Sequence, residues 1–256
     1  MMIVISPAKR MRSDIAYIEA DSMPVYLDKA QQLAEYLKTY TREDLKHLLS
    51  CSDRIADWTY QTYQQMDLQE QVVPALLSYN GIQYSYMAPD IFPDEYYAYV
   101  RSHLRILSGL YGVLRPFDGV VPYRLELDNP FSSPFCKNLY EFWGRDLLDG
   151  IIQEDHEILD LSSKQYGKIL KRYLDPSIHM VTVYFYEEEE GVRREKGVYV
   201  KMARGEMVRW LAENQVKTFA GVKAFNRLHY HFDEQASDNN RYVFVRKTVN
   251  RKKIEL

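Results

Sequence analysis

The most distinctive stretch of the chain is HLRILSGLYGVLRPFD, which covers residues 103–118. Apolar residues at helical spacing lead into it from Pro93, a residue that suits the first position of a helix. This pattern predicts a helix over residues 93–108. The segment between Gly109 and Gly112 then interrupts the helix, and Pro116 stops one last helical turn. Residues 93–117 are therefore predicted to form a helix, a break that contains two glycines, and one further helical turn.

Short strands and helices alternate on both sides of this stretch. Residues 2–5 are an apolar run that ends at Ser6-Pro7, and residues 158–161 are a similar run that ends at Ser162-Ser163. The alternating residues 180–186 indicate another strand, with residues 197–202 as its hairpin partner, before Ala203 opens a helix. No repeat or linker divides the chain. We expect one domain over residues 1–256, of α/β (mixed α+β) class, with a mixed sheet flanked by helices.

Composition excludes several classes of protein. Hydrophobic residues make up 46% of the 256 residues and the net charge is only −3, which excludes bulk disorder. Two cysteines supply neither a disulfide framework nor a zinc ligand set, as is usual in a reducing compartment. No apolar run approaches the ~18 residues of a membrane-spanning helix, and the N-terminus does not resemble a signal peptide. We therefore expect a cytoplasmic protein that does not bind membranes.

The small net charge conceals a segregation of charge along the chain. Residues 1–12 and 97–125 each carry a net +3, residues 191–209 carry +4 and residues 241–256 carry +5, which leaves −18 on the rest. The four basic segments either converge on one cleft that faces a polyanion or lie scattered over a solvated surface. Convergence predicts a binding site for nucleic acid on an otherwise acidic body.

Several motifs in a fixed order resemble one protein family. They are ISPAK at residues 5–9, the stretch 103–118, PYRLE at 122–126, LYEFWG at 139–144, LSS at 161–163 with Tyr166, ARG at 203–205, and FN at 225–226 with Tyr230, FDE at 232–234 and Ser237. Together they resemble the YaaA family of bacterial peroxide-stress proteins. The resemblance implies a cytosolic protein that protects cells against hydrogen peroxide by limiting free iron and its damage. It also implies DNA binding through a positively charged cleft and a helix-hairpin-helix-like element, which would lie near residues 93–117.

Cationic and glycine residues are the candidates for contacts with DNA or another anion. Glycines let a hairpin backbone approach phosphate, and residues after strand ends line the ligand crevice of open α/β sheets. The candidates are Lys9, Arg105, Gly109, Gly112, Arg115, Arg124, Lys201 and Arg204. The alternatives are a glycine-bearing helix break that only packs, and a lysine that is merely solvated.

Polar and aromatic residues of the same motifs are candidates for the interior of the cleft. They are Ser6, Tyr111, Tyr123, Ser162, Ser163, Tyr166, Asn226 and Tyr230. A tyrosine ring stacks well on an unpaired base, although packing explains most of the 22 tyrosines. Ser163 is alternatively a simple helix N-cap. His229 and His231 lack further ligands at a recognisable spacing, so we expect no metal and no cofactor.

Two functions fit these observations. The first is a monomeric peroxide-stress protein that binds DNA (duplex, branched or unpaired) without sequence specificity. The second is an enzyme that acts on a nucleotide, nucleobase or related phosphate-bearing metabolite in the same cleft. The sequence identifies no nucleophile or general base, which places the enzyme second.

Overall fold

A mixed β-sheet forms the centre of the fold in a computed structural model that describes residues 1–15, 17–153 and 155–247. The described strands are β1 (Met2–Ile5), β2 (Arg10–Met11), β3 (Val73–Pro74), β4 (Tyr79–Asn80), β5 (Leu104–Ser108), β6 (Gly112–Leu114), β7 (Gly119–Val120), β8 (Glu157–Asp160), β9 (His179–Glu189), β10 (Val192–Arg194), β11 (His231–Phe232) and β12 (Arg241–Lys247). Eight of these strands form the mixed sheet, while β2 pairs with β4 and β3 pairs with β7 in two small separate sheets.

Helices surround this sheet. They are α1 (Leu27–Lys38), α2 (Arg42–Leu49), α3 (Asp53–Gln65), α4 (Ala75–Ser78), α5 (Ile82–Met87), α6 (Asp94–His103), α7 (Leu139–Trp143), α8 (Asp146–Ile152), α9 (Lys164–Tyr173), α10 (Gly197–Glu213) and α11 (Phe219–Val222), with 3-10 turns at Pro89–Ile91 and Arg227–His229. None of the helices in the described ranges is long and apolar enough to cross a bilayer.

The sheet order creates a crevice beside β1. The order is β11-β12-β9-β8-β1-β5-β6, in which β12, β9, β8, β1 and β5 run parallel. The next strand of this sheet after β1 is β5, which lies on one side of β1. The next strand after β8 is β9, which lies on the opposite side. The loops after β1 and β8 therefore diverge, and such a divergence opens a ligand crevice at the carboxyl edge of a sheet.

Burial on both faces explains the apolar character of β1. All four of its residues are almost inaccessible to solvent, as expected for a central strand of a parallel sheet. One hydrophobic core contains residues from Met1 to Phe244. The predicted mixed α/β class, with a mixed sheet flanked by helices, is confirmed.

The stretch of residues 103–118 folds differently from the prediction. Helix α6 ends at His103, β5 follows at once, and β5 pairs with antiparallel β6 across a tight turn in which Ser108 faces Gly112. The predicted helix-hairpin-helix-like element near 93–117 is therefore wrong. All five residues of β5 are buried, and a short run buried on both faces cannot be told from a buried helix by periodicity alone.

A second correction concerns the residues after β9. Its hairpin partner is β10, whereas the predicted partner, residues 197–202, forms the first turns of α10. As a consequence, Lys201 and Arg204 lie on one helix, near its start.

Candidate functional site

A concavity with a volume of about 490 Å³ and several charged side chains in its lining lies at the carboxyl edge of β1 and β8. The loop after β1, the start of α5, the start of α9 and the first half of α10 form its walls. The lining residues are Ser6, Pro7, Ala8, Lys9, Arg10, Asn80, Gly81, Ile82, Gln83, Tyr84, Glu126, Ser163, Gln165, Tyr166, Lys201 and Arg204. A cavity of this size and composition is typical of sites for small ligands.

Hydrogen bonds join the two strand-end loops. The backbone N–H of Ser163 donates to Ser6 Oγ over 2.8 Å, and the Tyr84 hydroxyl donates to the Ser6 carbonyl over 3.0 Å. Ser163 is the N-cap residue of α9, but its side chain makes no capping hydrogen bond. The first N–H groups of a helix have no intrahelical acceptor, so α9 begins at the cavity wall with donors and the positive end of its dipole.

A glycine brings α5 and α10 close enough to share the cavity. A Cβ atom on Gly205 would lie 1.9 Å from the carbonyl oxygen of Gln83, so no other residue permits this crossing. Arg204 precedes Gly205 on α10. The close crossing therefore places the side chains of Gln83 and Arg204 at the same cavity.

Cationic groups dominate the cavity. Lys9, Arg10, Lys201 and Arg204 line it beside a single carboxylate, Glu126. Lys9 Nζ lies 2.9 Å from that carboxylate while its side chain stays 62% exposed. The cavity thus carries a positive charge that neighbouring groups neutralise only in part.

A buried carboxylate acts on Arg204 from the end of β8. Burial raises the pKa of Asp160, while the charge of Arg204 and hydrogen bonds from Ser162 oppose that shift. The Ser162 N–H and hydroxyl donate to Asp160 Oδ1 over 2.9 and 2.6 Å. Burial lowers the pKa of Arg204, and Asp160 opposes this change too. Ser162 therefore holds Asp160 beside the site and is not itself in the cavity lining.

Three of the four candidate tyrosines lie elsewhere. The Tyr123 hydroxyl lies 2.6 Å from Ser108 Oγ and 2.8 Å from the Tyr79 hydroxyl, and burial raises the pKa of Tyr123 to about 12. The Tyr111 hydroxyl accepts from a backbone N–H, and the Tyr230 hydroxyl donates to buried Glu187. These three rings pack in the core, and Tyr166 alone among the four lines the cavity.

Only two of the four basic segments reach the cavity through residues that the structure describes. Arg105 is 3% exposed and donates to the Leu104 carbonyl, and Arg115 pairs with Asp118 over 3.0 Å. Arg246 pairs with Glu187 over 2.8 Å, and residues 248–256 of the last segment lie outside the described ranges. Internal contacts thus occupy several of the predicted DNA-binding cations. Segments 1–12 and 191–209 do reach the cavity, through Lys9, Arg10, Lys201 and Arg204.

The other candidates also lie outside the cavity lining. Gly109 and Gly112 flank the β5–β6 turn, where Gly109 packs tightly on the Leu125 carbonyl. Arg124 is half-buried, and Asn226 is exposed before a 3-10 turn. Of the predicted site residues, the structure brings together Ser6, Lys9, Ser163, Tyr166, Lys201 and Arg204.

Sequence reasoning did not identify Gln83, Arg10 or Gln165. Gln83 follows the Asn80-Gly81 pair, which predicts only a turn, and a single glutamine carries no recognisable spacing. Within residues 1–15, 17–153 and 155–247, no group of three or more His, Cys, Asp or Glu side chains is arranged to hold a metal ion.

Comparison with known proteins supports the resemblance seen in the motifs. The family model of the peroxide stress protein YaaA matches residues 1–236. A UPF0246 protein of Desulfitobacterium hafniense is 50% identical over 246 residues, which cover 96% of this chain and 98% of the relative. UPF0246 proteins of Agathobacter rectalis and Pediococcus pentosaceus are 42% and 41% identical and are covered over 99% and 100% of their lengths. The chain therefore belongs to the family of the peroxide stress protein YaaA.

Proposed function

We propose that this protein acts in peroxide stress by binding DNA at the rim of the cavity and protecting it from damage by hydrogen peroxide and iron. One observation carries the proposal. Lys9 and Lys201, far apart in sequence, meet at one cavity beside the start of α9. Lysine side chains and helix N-termini are the groups that bind phosphate oxygens without reading sequence.

The overall charge favours contact with DNA at one place over DNA binding across the whole protein surface. The chain carries a net −3, so the protein as a whole repels a DNA duplex, whereas the basic cavity attracts it locally. A binding mode of this kind uses few phosphates. We therefore expect a shallow dependence of affinity on salt concentration.

The salt dependence of duplex binding tests the proposal. Each phosphate contact contributes about −0.9 to the slope of log K against log salt concentration. The double variant Lys9→Ala with Lys201→Ala should therefore flatten the slope by about 1–2. The matched control, Lys217→Ala with Lys223→Ala, removes the same charge outside the cavity lining and should keep the wild-type slope. Wild-type protein that binds no duplex, forked or single-stranded DNA at low salt would rule the proposal out.

An enzyme acting on a nucleotide, nucleobase or related phosphate-bearing metabolite is the second candidate. The observation in its favour is a cavity of about 490 Å³, larger than a contact to the DNA backbone alone requires. Incubation with nucleotides, followed by chromatography of the products, tests for turnover. Unchanged substrates in every incubation would count against it.

A further inference from the structure

We propose that the floor of the cavity, formed by Gln83, Tyr166 and Arg204, binds one nucleoside monophosphate unit, either free or extruded from DNA. The inference rests on the proposed DNA binding only for the extruded form. Binding of the free nucleotide stands on the cavity alone.

Buried polar atoms without partners identify the floor as a site. Four buried side-chain nitrogen or oxygen atoms lack a hydrogen-bond partner within the described part of the chain. Three of them, Gln83 Nε2, Tyr166 Oη and Arg204 Nε, belong to residues that line this one cavity. The Leu127 backbone lies near the Tyr166 hydroxyl, but the two make no hydrogen bond of ordinary geometry. Since folded proteins pair nearly all such groups, three unpaired groups at one cavity point to a ligand that pairs them.

The chemistry of these atoms defines the ligand. The amide nitrogen of Gln83 and Nε of Arg204 can only donate hydrogen bonds, and the Tyr166 hydroxyl can also donate. A ligand at the floor must therefore present several acceptor oxygens or nitrogens. Lys9 and Lys201 at the rim add a requirement for negative charge, which a phosphate meets.

The size of the cavity and its apolar wall indicate a ligand larger than a phosphate group. The volume of about 490 Å³ accommodates a small organic molecule, and Pro7, Ala8 and Ile82 supply apolar surface beside the polar floor. A heterocyclic base has a flat apolar face together with acceptor atoms on its edge. A nucleoside monophosphate combines that base with the anionic group that the rim selects.

The first experiment measures thermal stability with and without dAMP, dGMP, dCMP and dTMP. Gln83→Met replaces the amide with an apolar chain of similar length, and Tyr166→Phe removes only the hydroxyl. Because each change removes an unpaired buried group, the free variants should melt at or above the wild-type temperature. At least one mononucleotide should stabilise the wild type, and its Kd should rise at least about tenfold in both variants.

Thr59→Val is the matched control. Thr59 Oγ1 is the fourth unpaired buried atom, but it lies on α3 and is absent from the cavity lining. Its loss should be equally harmless to the free protein and should leave mononucleotide affinity unchanged. If the removal of any unpaired buried polar group weakened binding, all three variants would bind mononucleotides more weakly.

The second experiment separates the free ligand from the extruded one. Wild-type protein should bind a duplex with one bulged, unpaired nucleotide more tightly than the intact duplex. Gln83→Met should lose that preference and keep the affinity for intact duplex. If mononucleotides stabilise the protein but no DNA binds, the floor site stands for free nucleotides and the proposed DNA function falls.

Two results would overturn the floor site. One is a Gln83→Met or Tyr166→Phe protein with a lowered melting temperature and unchanged mononucleotide affinity, because the group then serves the fold. The other is a wild-type protein that no mononucleotide stabilises and that does not distinguish bulged from intact duplex.

Discussion

Arg204 packs within the fold and also lines the candidate site. Arg204 lies on α10 next to Gly205, where α10 crosses α5 closely, and buried Asp160 lies close enough to favour its positive charge. A nearby carboxylate favours the charged form of a buried guanidinium, so Asp160 supports a positive charge at this wall of the cavity.

His103, the last residue of α6, should make the stability of the fold depend on pH. Burial lowers the pKa of His103, and the nearby positive N-terminus acts in the same direction. The unfolded chain therefore binds a proton at a pH where the folded chain does not. The free energy of unfolding should thus fall as pH drops below about 6.5, by at most about 1.4 kcal/mol per pH unit for this group.

Urea denaturation of wild type and His103→Gln between pH 5 and 7 measures that contribution. The glutamine keeps a polar side chain near the Met1 carbonyl, which His103 Nδ1 contacts at 3.2 Å. We expect a smaller pH dependence in the variant. Equal slopes for the two proteins would contradict the assignment to His103.

At the scale of elements, the β5–β6 hairpin depends on Gly112. Its φ of +77° lies in the left-handed region, and a Cβ atom there would lie 2.6 Å from the Trp143 ring. Gly112→Ala should therefore lower the free energy of unfolding by about 2–4 kcal/mol, the sum of backbone strain and steric overlap. The glycine serves the turn and the packing of α7 rather than contact with DNA.

Gly191→Ala is the control for backbone strain alone. Gly191 has a similar φ of +79° in the β9–β10 turn, but nothing lies within 4 Å of its Cβ position. We expect a loss of about 1 kcal/mol, as measured by thermal or urea denaturation. A loss equal to that of Gly112→Ala would mean that the Trp143 ring moves aside without lowering the free energy of unfolding.

Several elements were predictable because their signals are local. The strand over residues 2–5 is confirmed, and the local pattern of Thr41 followed by Asp44 forms a capping box at the start of α2. The hairpin in 103–118 was not predictable. Distant elements bury both faces of its strand β5. The sequence of β5 therefore lacks the alternation of apolar and polar residues that indicates a strand.

At the scale of the whole molecule, the distribution of ion pairs decides which cations reach a ligand. Arg115→Ala removes the partner of Asp118, a carboxylate whose side chain is fully buried. The guanidinium is 41% exposed, so the expected loss of stability is moderate, about 1–3 kcal/mol. The slope of DNA affinity against salt should not change.

Lys201→Ala provides the opposite pattern. This exposed side chain lines the cavity, so its loss should flatten the salt slope by about 0.9 and change stability by less than about 0.5 kcal/mol. Urea denaturation and a salt titration of duplex binding measure both quantities. An Arg115→Ala protein with a slope as flat as that of Lys201→Ala would restore Arg115 as a DNA contact.

The sequence by itself determined the family, the mixed α/β class and the basic loop after β1, because motif order, strand runs and charge are properties of neighbouring residues. Only the tertiary structure decided that Gln83 and Arg204 share a cavity and that Arg105 and Arg115 do not reach it. Those outcomes depend on the close crossing at Gly205 and on carboxylates and carbonyls supplied elsewhere in the fold. Contacts between distant residues follow from packing, and no local pattern of residues encodes them.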